Sequence, residues 1–150
     1  MAPLDGIRVL DLTRLLPGGF CTQLMADFGA DVIKVEDTGA GDYIRMAPPY
    51  HEVEGDETST RSGLYLSLNR SKRSIRLDLK SDAGQEAFMR LVGGADVVME
   101  GFRPGVAERL GIDFESLSSV NPGIVSFTPL SFRSSMARRQ SATYMGAPPY

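Results

Sequence analysis

The sequence predicts an α/β fold, a Rossmann-like and mostly parallel sheet with flanking helices. Three observations predict it. Short apolar, β-branched runs recur at residues 7–12, 31–36, 73–79, 96–100 and 124–128. Helix-patterned stretches separate most of these runs. Residues 6–36 compress strand, helix and strand into about thirty residues, the size of a βαβ crossover.

Each element has its own local reason. Ile7 to Leu12 reads Ile-Arg-Val-Leu-Asp-Leu after the turn residue Gly6, a strand signal. Pro17-Gly18-Gly19 breaks that strand. Phe20, Leu24, Met25 and Phe28 then recur at helical spacing, and Gly29 suits a left-handed helix end. Asp31 to Glu36 is the second strand. Residues 37–63 are rich in Gly, Pro and acidic side chains, and predict a long irregular excursion with at most a short helix at Tyr43 to Met46. Order resumes at Leu64. Arg73 to Leu79 alternates, with Ile75, Leu77 and Leu79 on one face. Ser81 is a candidate N-cap, Asp82 complements the helix dipole, and Ala87, Phe88, Leu91 and Val92 form a stripe closed by Gly93-Gly94. Asp96 to Glu100 is a further strand. Pro104 fits the first turn of a helix running to Leu110 with Gly111 at its end. Phe114 to Val120 is a short helix stopped by Asn121-Pro122-Gly123, and Ile124 to Thr128 is the last strand. Residues 131–150 carry three arginines, no acidic residue and no clean period, and are expected to be poorly ordered.

Composition narrows function. The chain has 150 residues, 42% hydrophobic and 23% charged, as in an ordinary globular protein with one core. Sixteen Lys and Arg against 19 Asp and Glu give a net charge of −3, which speaks against coating nucleic acid by bulk charge. One cysteine allows no intramolecular disulfide and fits a reducing, cytoplasmic compartment. No apolar run approaches the roughly 20 residues needed to span a bilayer, and Met1 to Asp5 is too polar for a signal peptide, so no membrane partner is expected. One Cys and one His cannot make the usual zinc ligand set, so no metal is expected.

Four features could carry chemistry. The Leu15-Leu16-Pro17-Gly18-Gly19 turn lacks the Gly-x-Gly-x-x-Gly spacing of a dinucleotide fingerprint. Its glycines either admit a phosphate or pantetheine arm near a helix N-terminus or only shape the turn; spacing alone favours the second. Asn69-Arg70-Ser71-Lys72-Arg73-Ser74 offers three cations to phosphate oxygens, or forms a solvated loop. Arg103 follows a strand, where ligands of open α/β sheets gather, or is an ordinary exposed arginine. His51 and Cys21 read as a loop histidine and a small helix residue rather than a base and a nucleophile.

The order of the pieces resembles the N-terminal part of the family III coenzyme A transferases, which include formyl-CoA transferase, carnitine CoA-transferase relatives and α-methylacyl-CoA racemase. The resemblance is carried by Leu4 to Thr13, Leu16-Pro17-Gly18, Leu24 to Glu36 and Gly41-Asp42 with Arg45. It continues through Asn69-Arg70, Lys72-Arg73-Ser74, Leu77 to Lys80, Ala95 to Val97, Glu100 with Phe102 to Gly105, Leu110-Gly111 and Asn121-Pro122.

The resemblance implies a Rossmann-like large domain that grips CoA. Leu15, Leu16 and Pro17 match the family's first CoA-contacting turn. Leu77, Asp78, Leu79 and Lys80 match the segment along the adenine and ribose. Gly101, Phe102 and Arg103 match the turn after the fourth strand, where many members carry Asn at the position of Gly101. Arg109 matches an arginine that contacts the nucleotide phosphates. The implied partners are an acyl-CoA and a carboxylic acid. CoA is substrate rather than cofactor, and full-length relatives form homodimers.

The departures matter as well. Asp37 stands where some members place a nucleotide-contacting arginine. Leu130-Ser-Phe-Arg-Ser-Ser-Met136 lacks the Gly-rich turn that precedes the family's catalytic aspartate, and Tyr144 stands where that Asp is expected. Residues 1–130 are thus expected to form a partial CoA-binding domain with a tail at 131–150, and the catalytic residue is unknown. The implied chemistry is transfer of CoA through an aspartyl-CoA intermediate in full-length relatives, with this chain a truncated, inactive form. Racemisation of an acyl-CoA, a non-catalytic CoA or nucleotide module, and an incomplete fold without a ligand site are the alternatives.

Overall fold

A computed structural model describes residues 1–53 and 56–128; the expected tail at 131–150 lies outside the described residues. Five strands form one sheet: β1 (Arg8–Asp11), β2 (Asp31–Glu36), β5 (Arg73–Arg76), β6 (Val97–Met99) and β7 (Val125–Phe127). Their order is β5-β2-β1-β6-β7, and every pairing is parallel. This is the doubly wound arrangement expected from the alternation of strands and helices.

Side-chain alternation splits the core into two layers. Val9 and Val32 point to one face and pack with Ala26 and Ala30 at the end of α1 (Gly18–Asp27). Leu10, Ile33, Val35 and Val98 point to the other. There they meet Phe88 and Val92 of α3 (Asp82–Val92) and Leu117 of α5 (Phe114–Val120). Buried on both sides, these strands read as near-continuous apolar runs.

Helix α1 sits close to the sheet because its buried side is small and polar: Gly18, Gly19, Thr22, Gln23 and Ala26. A Cβ on Gly18 would stand 2.4 Å from the Cβ of Thr13. The apolar residues that mark the helix in the sequence face outward instead, with Phe20 49%, Leu24 40% and Phe28 53% exposed. Periodicity locates this helix but not its buried side.

Several expectations need correction. The excursion at 37–63 holds the short 3-10 turn Tyr43–Met46, as expected, but also a two-stranded antiparallel hairpin, β3 (Tyr50–Val53) with β4 (Asp56–Ser62). Its backbone ladder supplies order that its polar, Gly- and Pro-containing sequence does not advertise. Helix α2 (Gly63–Leu68) follows, capped where the Ser62 side chain accepts from Tyr65 N. Strand β5 stops at Arg76, and Leu77 makes one last rung, its N–H donating to Glu36 O at 2.9 Å. The helix expected from Pro104 starts later, as α4 (Val106–Arg109), because Gly105 takes the N-cap place at φ 82°. Ser81 caps α3 as expected, and Gly29 and Gly111 adopt positive φ.

Candidate functional site

The strand order reverses direction between β1 and β6, and the chain leaves their carboxyl ends in two turns that abut. A Cβ on Gly101 would lie 3.9 Å from Thr13 Cα, an ordinary contact distance, so the position has room for a side chain. Crevices of open α/β sheets that bind ligands lie at such a switch point.

A cleft of about 80 Å³ opens at this end of the sheet. Its walls come from four strand exits: Leu12 and Arg14 after β1, Val35 to Asp37 at β2, Leu77 to Lys80 after β5 and Phe102 after β6, with Leu110 behind. The structure therefore brings together Leu77, Asp78, Leu79, Lys80 and Phe102, which lie in two segments remote in sequence. Leu15, Leu16, Pro17, Gly101, Arg103 and Arg109 do not line it. In sequence they lie within three residues of lining ones, and Leu15, Leu16, Arg103 and Arg109 are exposed. Lys80, Arg103 and Arg109 make no ion pair among the described residues, and all three residues are exposed.

Local contacts shape each wall. Asp78 Oδ1 accepts from Lys80 N at 3.0 Å and Asp78 O accepts from Ser81 N and Ser81 Oγ, so the Leu77 to Lys80 segment curls into the cap of α3. Helix α3 can approach it only through Gly84, where a Cβ would stand 2.0 Å from Asp78 O. After β6, Glu100 Oε2 accepts from Phe102 N at 2.6 Å, while Oε1 accepts from the hydroxyl of Thr128. That carboxylate ties the Gly101 to Arg103 turn to the end of the last strand.

Beneath the β1 turn lies a layer of buried charge. Lys34 in β2 is 1% exposed; its Nζ donates to Thr13 O at 2.9 Å and pairs with Asp42 Oδ2 at 2.9 Å. Asp42 Oδ1 accepts from Leu15 N at 3.1 Å and from Ile44 N at 3.0 Å. Asp11 Oδ1 accepts from Thr13 N and Thr13 Oγ1. Leu15 has φ 59°, a left-handed conformation that a non-glycine residue occupies at a cost of about 1–3 kcal/mol.

The cations of the basic loop are paired within the chain. Lys72 Nζ donates to Asp11 Oδ2, Gly19 O, Thr22 Oγ1 and Asn69 Oδ1, and its side chain is 1% exposed. Burial lowers its pKa against the opposing pull of Asp11. Arg70 pairs with Asp27, Arg73 with Asp31, and Ser74 donates to Glu36. The chain's own carboxylates pair with every cation of this loop; Lys72 is buried, while the Arg70 and Arg73 side chains stay exposed.

Glu36 closes the other side of the cleft. Burial alone would raise its pKa. Hydrogen bonds from Arg45, Asp42 N and Ser74 outweigh that and hold it far below the usual carboxylate range. Burial and the Glu36 charge push Tyr65, whose hydroxyl donates to Glu36, up to about 12. His51 lies exposed on β3 opposite Arg61, and Cys21 sits on α1, so neither stands at the cleft. No group of His, Cys, Asp and Glu among the described residues is arranged to hold a metal ion, and no described helix is long and apolar enough to cross a membrane.

Known proteins share this arrangement. The sequence profile described as CoA-transferase family III matches residues 4–144. A succinyl-CoA:mesaconate CoA-transferase of Haloarcula hispanica is 49% identical over 125 residues, 83% of this chain and 31% of that protein. A formyl-CoA:oxalate CoA-transferase of Rhodopseudomonas palustris is 43% identical over 122 residues, 81% of this chain and 27% of that protein. A CaiB/BaiF family protein of Brucella suis superposes with a TM-score of 0.76 at 41% identity, over 83% of this chain and 32% of its own. The chain thus spans 31% or less of the length of these two curated relatives.

Proposed function

The chain belongs to CoA-transferase family III, and from that premise we propose that its described residues are the part of an acyl-CoA:carboxylate CoA-transferase that grips coenzyme A. One observation carries the reading: the cleft at the strand exits joins the Leu77 to Lys80 segment, with its unpaired Lys80, to Phe102 and Leu110, next in sequence to Arg103 and Arg109. In this reading Leu77 to Lys80 run along the adenine and ribose. Lys80, Arg103 and Arg109 face the phosphates, where charge-assisted hydrogen bonds are the strong ones. Leu15, Leu16 and Pro17 contact the ligand from the β1 turn, with Gly101 beside them.

The reaction follows the family's two substrates. A carboxylate oxygen attacks the thioester carbonyl of an acyl-CoA, the carbon–sulfur bond breaks, and a mixed anhydride and CoA thiolate result. The thiolate then attacks the enzyme's side of that anhydride, which releases the first acid as its carboxylate and leaves an aspartyl-CoA thioester. An incoming carboxylate repeats the two steps in reverse order of bond making. The relatives named above are a succinyl-CoA:mesaconate and a formyl-CoA:oxalate transferase, all short acids or their thioesters, which makes a short carboxylic acid the acceptor class proposed here. No Asp or Glu follows Glu115 in these 150 residues, so the chain on its own is proposed to bind CoA without turning it over.

Calorimetry with CoA tests the reading. The chain should bind saturably, and Arg103→Ala should weaken binding by about 1–3 kcal/mol, the range for hydrogen bonds to charged groups. Lys80→Ala and Arg109→Ala should weaken it too. Unchanged affinity in all three variants refutes the assignment.

A further inference from the structure

We propose that the buried Lys34–Asp42 ion pair is a positioning device for coenzyme A: it holds Leu15 in its left-handed conformation and so presents the Leu15 to Pro17 turn beside the cleft. The inference rests on the reading of the cleft as a CoA site and adds two residues to it that touch no ligand.

The argument starts from the turn. Leu15 lies at φ 59°, and its side chain is 46% exposed. With nearly half of that side chain exposed its packing is partial, and the backbone's own polar groups have to share in over-determining such a conformation. They do. The pair reaches the chain on both sides of Arg14: Lys34 Nζ donates to Thr13 O at 2.9 Å, and Asp42 Oδ1 accepts from Leu15 N at 3.1 Å. The two residues are locked to each other at 2.9 Å and are 1% and 2% exposed. Lys34 is set in the middle of β2, and Asp42 is set by its own role as cap of the 3-10 turn.

Stability alone does not explain the pair. Two well-packed apolar residues would serve a core as well or better than a buried ion pair. What an ion pair adds is direction: a donor aimed at one carbonyl and an acceptor aimed at one amide. That direction is spent on an outward-facing turn, one residue from Leu16, at the switch point of the sheet.

The test compares CoA dissociation constants by calorimetry in two pairs of variants, with thermal unfolding as the check on folding. Lys34→Met/Asp42→Asn removes both charges but keeps an oxygen that accepts from Leu15 N. Lys34→Met/Asp42→Ala removes the acceptor as well. Neither leaves a lone charge of the pair buried. The Ala variant should bind CoA at least tenfold more weakly than the Asn variant. The same comparison made in a Leu15→Gly background, where positive φ is free, should differ by less than threefold. Where the Ala variant does not fold, Lys34→Met/Asp42→Ser takes its place at the same thresholds, since a shorter hydroxyl keeps the cap on Ile44 without spanning to Leu15. Equal affinities in the Leu15 background, or an equal loss in both backgrounds, overturns the inference and leaves the CoA site standing. Absence of CoA binding by the unsubstituted chain overturns the site reading, and the inference falls with it.

Discussion

The amine of Lys72 lies 3.1 Å from the Asp11 carboxylate, with the two side chains 1% and 0% exposed. Asp11 belongs to the central strand, and Lys72 to the loop before β5, 61 residues away. Through Gly19 O and Thr22 Oγ1 the same amine holds the first turn of α1. One ammonium thus clamps sheet, helix and loop. Lys72→Met leaves Asp11 buried without this partner and should lower unfolding free energy by about 3–5 kcal/mol, the cost of breaking a buried pair. Asp11→Asn/Lys72→Met should recover part of that loss. Urea unfolding measures both, and a single-variant loss below about 1 kcal/mol would contradict the clamp.

The Glu36 and Tyr65 pair predicts how stability bends with pH. Glu36 is held below its ordinary value of 4.5, so the unfolded chain binds its proton first as pH falls. Its stabilisation is present above about pH 4.5 and is lost below it, by up to about 1.4 kcal/mol per pH unit for one linked proton. Tyr65 is raised from 10.0 to about 12, so its contribution is full below pH 10 and is lost as pH climbs from 10 toward 12. Glu36→Gln should be less stable at neutral pH and show a flatter acid limb; Tyr65→Phe should flatten the alkaline limb. Denaturant midpoints from pH 3 to 11 check this, and an unaltered acid limb in Glu36→Gln would assign acid sensitivity to other carboxylates.

Gly84 is the point where α3 touches the segment proposed to hold adenine and ribose. A methyl there would stand 2.0 Å from Asp78 O, backbone that cannot step aside. Gly84→Ala should cost about 1–3 kcal/mol, as overpacking does, and should weaken CoA binding because Asp78 moves with its neighbours. Gly19→Ala is the matched control: nothing lies within 4 Å of its Cβ position, and it should gain up to about 1 kcal/mol of helix propensity. Equal stability of the two variants would mean that α3 has slack against the cleft wall.

Much of this was legible in the sequence. Apolar runs such as Val32-Ile33 and Val97-Val98-Met99 announce strands buried on both faces, and Ser81, Gly29 and Gly111 announce helix ends through their local chemistry. The hairpin was not legible, because residues such as Glu52 and Arg61 are ordered by backbone pairing rather than burial. Nor was the outward turn of Phe20, Leu24 and Phe28, since the sheet selects the small side of α1 for close approach. The buried charges did leave a signal. Asp11 and Lys34 each interrupt an apolar run and Glu36 ends one, and a charge inside a doubly covered strand has to be paired. What no local pattern gives is the partner: Asp42 and Lys72 lie 8 and 61 residues from Lys34 and Asp11.

The last prediction concerns chemistry. A nucleophilic carboxylate needs a free oxygen aimed at the thioester, and most of the described carboxylates near the cleft are committed. Asp11, Asp42 and Glu36 are buried and accept two or more hydrogen bonds each. Both oxygens of Glu100 are taken by Phe102 N and Thr128. Asp37 accepts from Gly39 N and Gly41 N and pairs with Arg14. Asp78, the exposed carboxylate of the cleft wall, accepts from Lys80 N within its own turn through Oδ1, which leaves Oδ2 as its one oxygen without a hydrogen bond among the described residues. Incubated with succinyl-CoA, the purified chain should therefore give no covalent enzyme–CoA thioester by intact-mass spectrometry, while it still binds CoA by calorimetry. A hydroxylamine-sensitive adduct mapped by peptide sequencing to Asp78 or Asp37 would show that the cleft carries its own nucleophile and that these 150 residues do more than hold the coenzyme.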